Sequence, residues 1–384
     1  MMKSPFKFGQ VVEGEYFTDR AKDIKRLVAN FENNINTVLL SPRRWGKSSL
    51  VHKAIKTTLK RNKNFRACYI DLFQIRDEKE FYGKLATGVI KSTSTKFEDW
   101  VRTAGQFLKT LTPNISFGID PQADFKISFD FTDKDKTYGE ILNLPEKIAK
   151  KKKIKIIIAI DEFQNLSNFK NPLLFQKRLR SAWQYHYNTV YCLFGSKRHM
   201  LTEIFENKSM PFYKFGDVIY LSKIEQKYLV KFIIRKFEKT SKHINGKYAN
   251  EIVALMKRHP YYVQQLAYIV WSNTGKTVDQ KTLDNSVNDL LDRNSILYEK
   301  EIDELSNTQV NFLKALVDGI DNGFSSQDIL KKYNLGASSN VIKIKRVLLK
   351  KEIIDISGGQ IEILDPAFEL WLRKRYFAAG GIKL

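Results

Sequence analysis

The chain has 384 residues, 43% of them hydrophobic and 12% aromatic, which allows two or three packed domains and excludes a disordered polymer. Lys and Arg outnumber Asp and Glu by 65 to 42, for a formal net charge of +23. That excess points to an acidic partner, nucleic acid before an anionic membrane, with plain solubility as the competing reading. The two cysteines, Cys68 and Cys192, lie in apolar strand-like runs and read as buried thiols, not as a disulfide framework or metal site. Without a leader-like apolar core or a stretch of about 18 uncharged apolar residues, a cytoplasmic protein with no membrane partner is expected.

The first strong element is Thr37-Val38-Leu39-Leu40, a short run of strand type, and residues 49–60 carry Leu50, Val51, Ala54 and Leu59 at helical spacing. Between them lies SPRRWGKSSL, residues 41–50, which fits the phosphate-binding pattern G-x-x-x-x-G-K-[ST] with Ser41 in place of the first glycine. Gly46 lets the backbone approach phosphates, Lys47 reaches the β and γ oxygens, and Ser48 offers a hydroxyl to Mg²⁺. A small residue serves at position 41 if its φ is ordinary, and Pro42 restricts Ser41 to extended conformations. A polar turn between core elements is the alternative. The flanking strand and helix favour nucleotide binding, with Pro42, Arg43, Arg44, Trp45, Gly46, Lys47, Ser48 and Ser49 as the cradle.

Further strand-like runs at 67–71, 155–160, 190–194 and 218–221 alternate with helical segments, the pattern of an α/β fold with a parallel sheet. ISFGIDPQADFKISFDF, residues 115–131, alternates Ile115, Phe117, Ile119 and then Phe125, Ile127, Phe129, Phe131 with polar or small residues. It predicts a β-hairpin inserted at about 114–132, its aromatic face packed as core. The basic cluster at 150–153 reads as solvating a loop. KIIIAIDEFQNL, residues 155–166, then delivers Asp161 and Glu162 to the carboxyl edge of the sheet, where ligands bind in open α/β folds. Asp161 suits Mg²⁺ held through water, and Glu162 can polarise an attacking water while Lys47 offsets developing charge. An acidic cap for a helix starting at Phe163 is the structural alternative. The neighbouring run ends in Gly195-Ser196, where a hydroxyl can sense the γ-phosphate; Arg198 reads equally as a solvated helix residue.

Beyond Leu221 the periodicity becomes helical to about residue 304. Helices at 307–318, 326–333 and 338–350, followed by strands at 352–356 and 360–364 around Ser357-Gly358-Gly359, give the order of a winged helix-turn-helix. The expected domains are therefore 1–221 (α/β), 222–304 (helical lid) and 305–384 (winged helix). In SSNVIKIKRVLLKK, residues 338–351, Val341, Ile344, Val347 and Leu348 share one face, and Lys343, Arg346 and Lys350 lie largely on the other. The basic face suits DNA or RNA phosphates without reading sequence, and protein docking is the other use of such a module.

With these motifs in this order, the chain resembles the AAA+-like P-loop ATPases of the STAND class, in particular an archaeal and bacterial family whose loop reads PRRxGKT or PRRxGKS. EYFTDRAKDIKRL is similar to that family's F-x-x-R-x-x-E-I-x-x-L box, with Phe17, Arg20, Ile24 and Leu27 matching and Asp23 replacing the glutamate. The resemblance implies that this box packs near adenine. KRHPYYVQQL resembles the lid segment G-H-P-Y-x-x-Q-x-L, with Arg258 for the glycine and His259 and Pro260 retained, and implies a lid histidine approaching the nucleotide. LDPAFELWLRKRY resembles the closing segment D-P-x-F-x-x-W-x-R. Where many AAA+ proteins place an arginine finger, MPFYKFGDVIYL carries Lys214, and an ammonium does not reproduce a guanidinium fork. The implied activity is a slow, switch-like, Mg²⁺-dependent ATPase binding ATP and ADP. A non-catalytic, nucleotide-gated regulatory or scaffolding module is the alternative.

Overall fold

The computed structural model describes residues 3–94, 97–108, 115–120, 123–129 and 134–378. The chain divides into two compact units: Arg20–Arg43 with Lys47–Ser222, and Met1–Asp19 with Arg44–Gly46 and Lys223–Leu384.

The first of these is an α/β unit. Strands β1 (Thr37–Leu40), β2 (Phe65–Asp71), β3 (Ile115–Asp120), β4 (Ala123–Phe129), β5 (Lys155–Asp161), β6 (Thr189–Gly195) and β7 (Asp217–Tyr220) occur in chain order. Five of them form one parallel sheet in the order β2-β5-β6-β1-β7. All of β6 and the five central residues of β5 are buried, because helices cover both faces, and so these strands read as continuous apolar runs without alternation. Trp183 stacks on Tyr191 of β6 with ring centroids 4.0 Å apart, sealing one face.

The predicted hairpin forms as an antiparallel pair, β3 with β4, in a sheet of its own, with Phe117 opposite Ile127. Ile127 is buried, and its amide donates to Thr87 Oγ1 at 3.0 Å on the helix Glu78–Thr93. The side chains of Phe117, Phe125, Phe129 and Phe131 lie outside the described residues. One expectation is corrected: the lysines at 150–152 form the last turn of the helix Lys134–Lys152, not a loop. Cations are favoured there by the exposed carbonyls, and Lys152 Nζ is drawn inward to Thr93 O (3.0 Å) and Ser94 Oγ (2.9 Å). Burial lowers its pKa.

The second unit is helical, with Gln226–Glu238, Gly246–Leu255, Pro260–Asn273 and Gln280–Asp303 followed by Asn307–Val317, Gln327–Lys332 and Ser338–Lys350. A hairpin of β8 (Ile354–Ser357) and β9 (Gln360–Ile363) and a short helix, Pro366–Trp371, complete the winged-helix order. Local signals place the boundaries: Asp279 caps one helix by accepting from Thr282 N, and Ser306 with Gln309 forms a capping box. A single apolar core runs from Phe6 through the lid helices to Trp371 and Leu372. The N-terminal segment joins it through Phe6, edge-on to Phe232 and Phe237, and through Tyr16, whose ring lies 3.9 Å from the buried Lys236 ammonium. Among the described residues no helix is long and apolar enough to cross a membrane.

Candidate nucleotide-binding site

Register brings the predicted motifs to one edge of the sheet. Leu40 of β1 pairs with Gly195 of β6, and Ile160 of β5 pairs with Leu193. In parallel strands the residues that follow these pairs emerge together, so the loop after Leu40, the pair Asp161-Glu162 and Ser196 share that edge. Ser41 is buried and has no positive φ, so the absent glycine costs nothing there. The left-handed positions are Arg44 (φ 62°) and Gly46 (φ 84°), and the helix Lys47–Arg61 begins directly after. Its N-terminus presents amides suited to an anion.

Ser48 Oγ donates to Asp161 Oδ2 at 2.8 Å, and the buried Lys47 exerts its charge on both Asp161 and Glu162. Glu162 has φ 52°, an uncommon conformation for a glutamate, and strain of this kind concentrates at functional sites. Its Oε2 accepts from Ser196 Oγ (2.9 Å), from Ser196 N (3.3 Å) and from Gln164 Nε2. The alternative role as a helix cap fails: residues 163–168 form a 3₁₀ helix whose N-cap residue, Glu162, makes no side-chain cap bond, and the backbone amide that Asp161 accepts is the adjacent Glu162 N at 2.8 Å, which lies before that helix.

These surroundings push the two carboxyls apart. Burial raises Asp161, with Lys47 and the Ser48 hydroxyl opposing it and the Glu162 charge adding to it. Burial raises Glu162 too, but Lys47 and the bonds from Gln164 and Ser196 outweigh it, and the net shift is downward. Adjacent acids separated in this way can take different roles. Sequence reasoning missed Gln164. The available signal was its position two residues after Glu162, directly following the strand.

The other expected site residues are distributed between the two units. In the α/β unit Ser49 is buried beside Lys47, and Pro42 is buried while Arg43 is exposed. Arg20, buried, donates to Ser222 O at 2.5 Å and pairs with Asp23 at 3.5 Å, so its guanidinium ties the start of Ala21–Glu32 to the chain after β7. Arg198 opens the helix Arg198–Glu206, and Lys214 is exposed on the turn before β7 at φ 54°. In the helical unit Arg44 lies over the Tyr261 ring at 4.4 Å and donates to Tyr262 Oη at 3.3 Å. Trp45 meets His259 edge-on at 6.1 Å, and His259 precedes Pro260, the first residue of its helix. Arg44 and Trp45 thus turn their side chains toward the start of the helix Pro260–Asn273. Phe17, partly buried, ends a 3₁₀ turn. On Ser338–Lys350 the burial of Val341, Ile344 and Leu348 leaves Lys343, Arg346 and Lys350 exposed as expected, while Val347 is only partly buried.

A parallel sheet fed by a strand–loop–helix phosphate cradle, with a winged helix after it, defines the chain as a P-loop ATPase fold. Residues 17–266 match the family described as an ATPase domain predominantly from Archaea, and the chain belongs to that family. Residues 296–374 match a probable winged helix domain. A Walker-type ATPase of Pyrococcus abyssi is similar at TM-score 0.65 and 18% identity, over 96% of this chain and 99% of that one. The ORC1 protein of Aeropyrum pernix, solved in complex with DNA, is similar at TM-score 0.50 and 14% identity, over 99% of this chain and 100% of its own. At such identities the likeness is one of fold. No curated protein gives a match.

Proposed function

We propose that the chain is a STAND-class ATPase that binds ATP with Mg²⁺ on the loop at residues 41–49, hydrolyses it slowly, and couples nucleotide state to an acidic partner through its winged helix. The observation that carries this reading is the Ser48 hydroxyl 2.8 Å from Asp161, with Glu162 held beside it by Ser196 at 2.9 Å. A hydroxyl and a carboxylate are hard oxygen donors of the kind magnesium takes alongside water and phosphate oxygens. The residues therefore fit the ion, which when bound supplies charge neutralisation at the phosphates.

In this reading the amides at the start of Lys47–Arg61 and the Lys47 ammonium bind the phosphate oxygens. Glu162, its carboxyl held below the ordinary value despite burial by Lys47, Gln164 and Ser196, stays charged at neutral pH and orients the attacking water. Lys214 in the finger neighbourhood supports slow turnover, since an ammonium offers no bidentate fork.

Coupling is supported by a polar series inside the helical unit. Arg44 of the loop donates to Tyr262 Oη at 3.3 Å, the Tyr262 hydroxyl and the Asp365 carboxyl interact electrostatically, and Asp365 accepts from Tyr298 Oη (3.3 Å) and caps Pro366–Trp371 by accepting from Ala367 N (2.8 Å) and Phe368 N (2.9 Å). A nucleotide that repositions Arg44 would be felt at the winged helix. The exposed Lys343, Arg346 and Lys350, the +23 charge and the DNA present with the ORC1 relative favour nucleic acid as the partner. Phosphate release measured with and without Mg²⁺, and with and without DNA at two salt concentrations, tests the reading; a parent chain with no Mg²⁺-dependent turnover would overturn it in favour of a non-catalytic gated module.

A further inference from the structure

We propose that Gln164 is a positioning residue for ATP hydrolysis, holding the Glu162 carboxylate with Ser196 so that Glu162 Oε1 is the oxygen presented to the attacking water. This rests on the reading of Glu162 given above. Gln164 is 1% exposed, on the 3₁₀ turn Phe163–Asn168, and the intervening Phe163 is wholly buried against Phe205 and Phe212 at centroid distances of 5.5 and 5.3 Å. That anchor sets both flanking side chains. Gln164 Nε2 donates to Glu162 Oε2, and the two Ser196 donors reach the same oxygen. Reversing the amide would set its carbonyl against a carboxylate, so the donor orientation is chemically required.

Two costs point to a role beyond packing. Gln164 Oε1 is buried with no hydrogen-bond partner among the described residues, which is destabilising, and a Leu or Met would fill the space without that penalty. Gly195, moreover, is not among the glycines with positive φ, so the backbone does not call for glycine. Space does: a Cβ at position 195 would lie 2.0 Å from Gln164 Oε1 and 3.3 Å from Glu162 Cα. The chain keeps a strand-end glycine and an unsatisfied acceptor, and what both preserve is the amide donor on Glu162.

The test uses the full chain and two independent variants. Gln164→Met keeps the volume and removes the donor. Gly195→Ala keeps Gln164 but pushes its side chain, a flexible terminus, off Glu162. Each is expected to lower kcat about tenfold with KM for ATP within about twofold, because water is misoriented while phosphate binding is untouched. A Gln164→Met protein with lowered Tm but parental kcat would show that Gln164 only packs, and the proposal falls. Should that variant not fold, Gly195→Ala decides by the same readouts. Glu162→Gln run alongside separates the two levels: if it retains parental turnover, the reading of Glu162 fails and this proposal with it.

Discussion

In the α/β unit, polar side chains gather around charge at the carboxyl edge of the sheet: Lys47, Ser48, Asp161, Glu162, Gln164 and Ser196 lie at or just beyond the ends of β1, β5 and β6, which strand register brings together. In the helical unit the polar series Arg44, Tyr262, Asp365 and Tyr298 joins a loop, two lid helices and the cap of a short winged-helix element, with aromatic rings filling the space between. The first arrangement suits moving a proton. The second suits reporting position, because each hydroxyl bond depends on the packing of a separate helix. One ten-residue motif contributes to both, its arginine and tryptophan to the aromatic rings of the helical unit and its lysine and serine to the carboxylates.

The strongest attempt to break this division is Glu162→Gln, which removes the charge proposed to orient water and should reduce phosphate release by about 10²-fold or more while leaving ATP binding by equilibrium fluorescence intact. A parallel loss of ATP binding would mean that the two arrays are not separable. Next, replacing Lys343, Arg346 and Lys350 together by Ala should weaken DNA binding about tenfold or more and flatten its dependence on log salt by roughly one unit for each phosphate left without a cation, read by anisotropy titration. Turnover without DNA should be unchanged.

A pH measurement sharpens the second region. Burial, then the charges of Asp365 and Glu304, push Glu301 up to about 7 from 4.5. The folded chain therefore holds a proton that the unfolded chain releases between those values, and stability declines as pH rises from about 4.5 to about 7. Glu301→Gln should remove that decline and add about 2 kcal/mol at pH 8, detected by urea titration at several pH values. The smallest effect is expected from Tyr262→Phe: loss of the hydroxyl that accepts from Arg44 costs about 1 kcal/mol and leaves turnover without DNA near parental. Any ATP-dependent change in DNA affinity should shrink with it, and an undiminished change would separate the hydroxyl series from coupling.

Much of this is legible in the chain. Thr37–Leu40 matches its strand residue for residue; β5 and β6 extend by one residue past expected ends because buried parallel strands have no solvent-facing residue to mark a limit, β2 starts two residues early, and β7 is shifted one residue toward the N-terminus. Ser48, Asp161, Glu162 and Ser196 are recognisable because phosphate and magnesium chemistry confines residue types and their place on strand ends. Gln164 is not, since an amide two residues past a carboxylate becomes meaningful only when a 3₁₀ turn folds it back. Position in the motif says nothing of the protein neighbours of Arg44 and Trp45, which are Tyr261, Tyr262 and His259, over 200 residues away in sequence. The lysines at 150–152 mislead because charge density resembles a loop until helix continuation through Pro145 is seen.

By itself the sequence determined the classes of element, their order, the phosphate loop and the acids that answer it, since all of these depend on local periodicity and on chemistry with few acceptable residues. Tertiary structure alone decided that Glu162 is clamped through a single oxygen, that Gly195 yields its space to Gln164, and that the opening segment packs with the helical unit through Phe6 and Tyr16. Those outcomes depend on which side chains meet across long stretches of chain, and pairwise proximity of that kind is set by packing density and register, which no local pattern encodes.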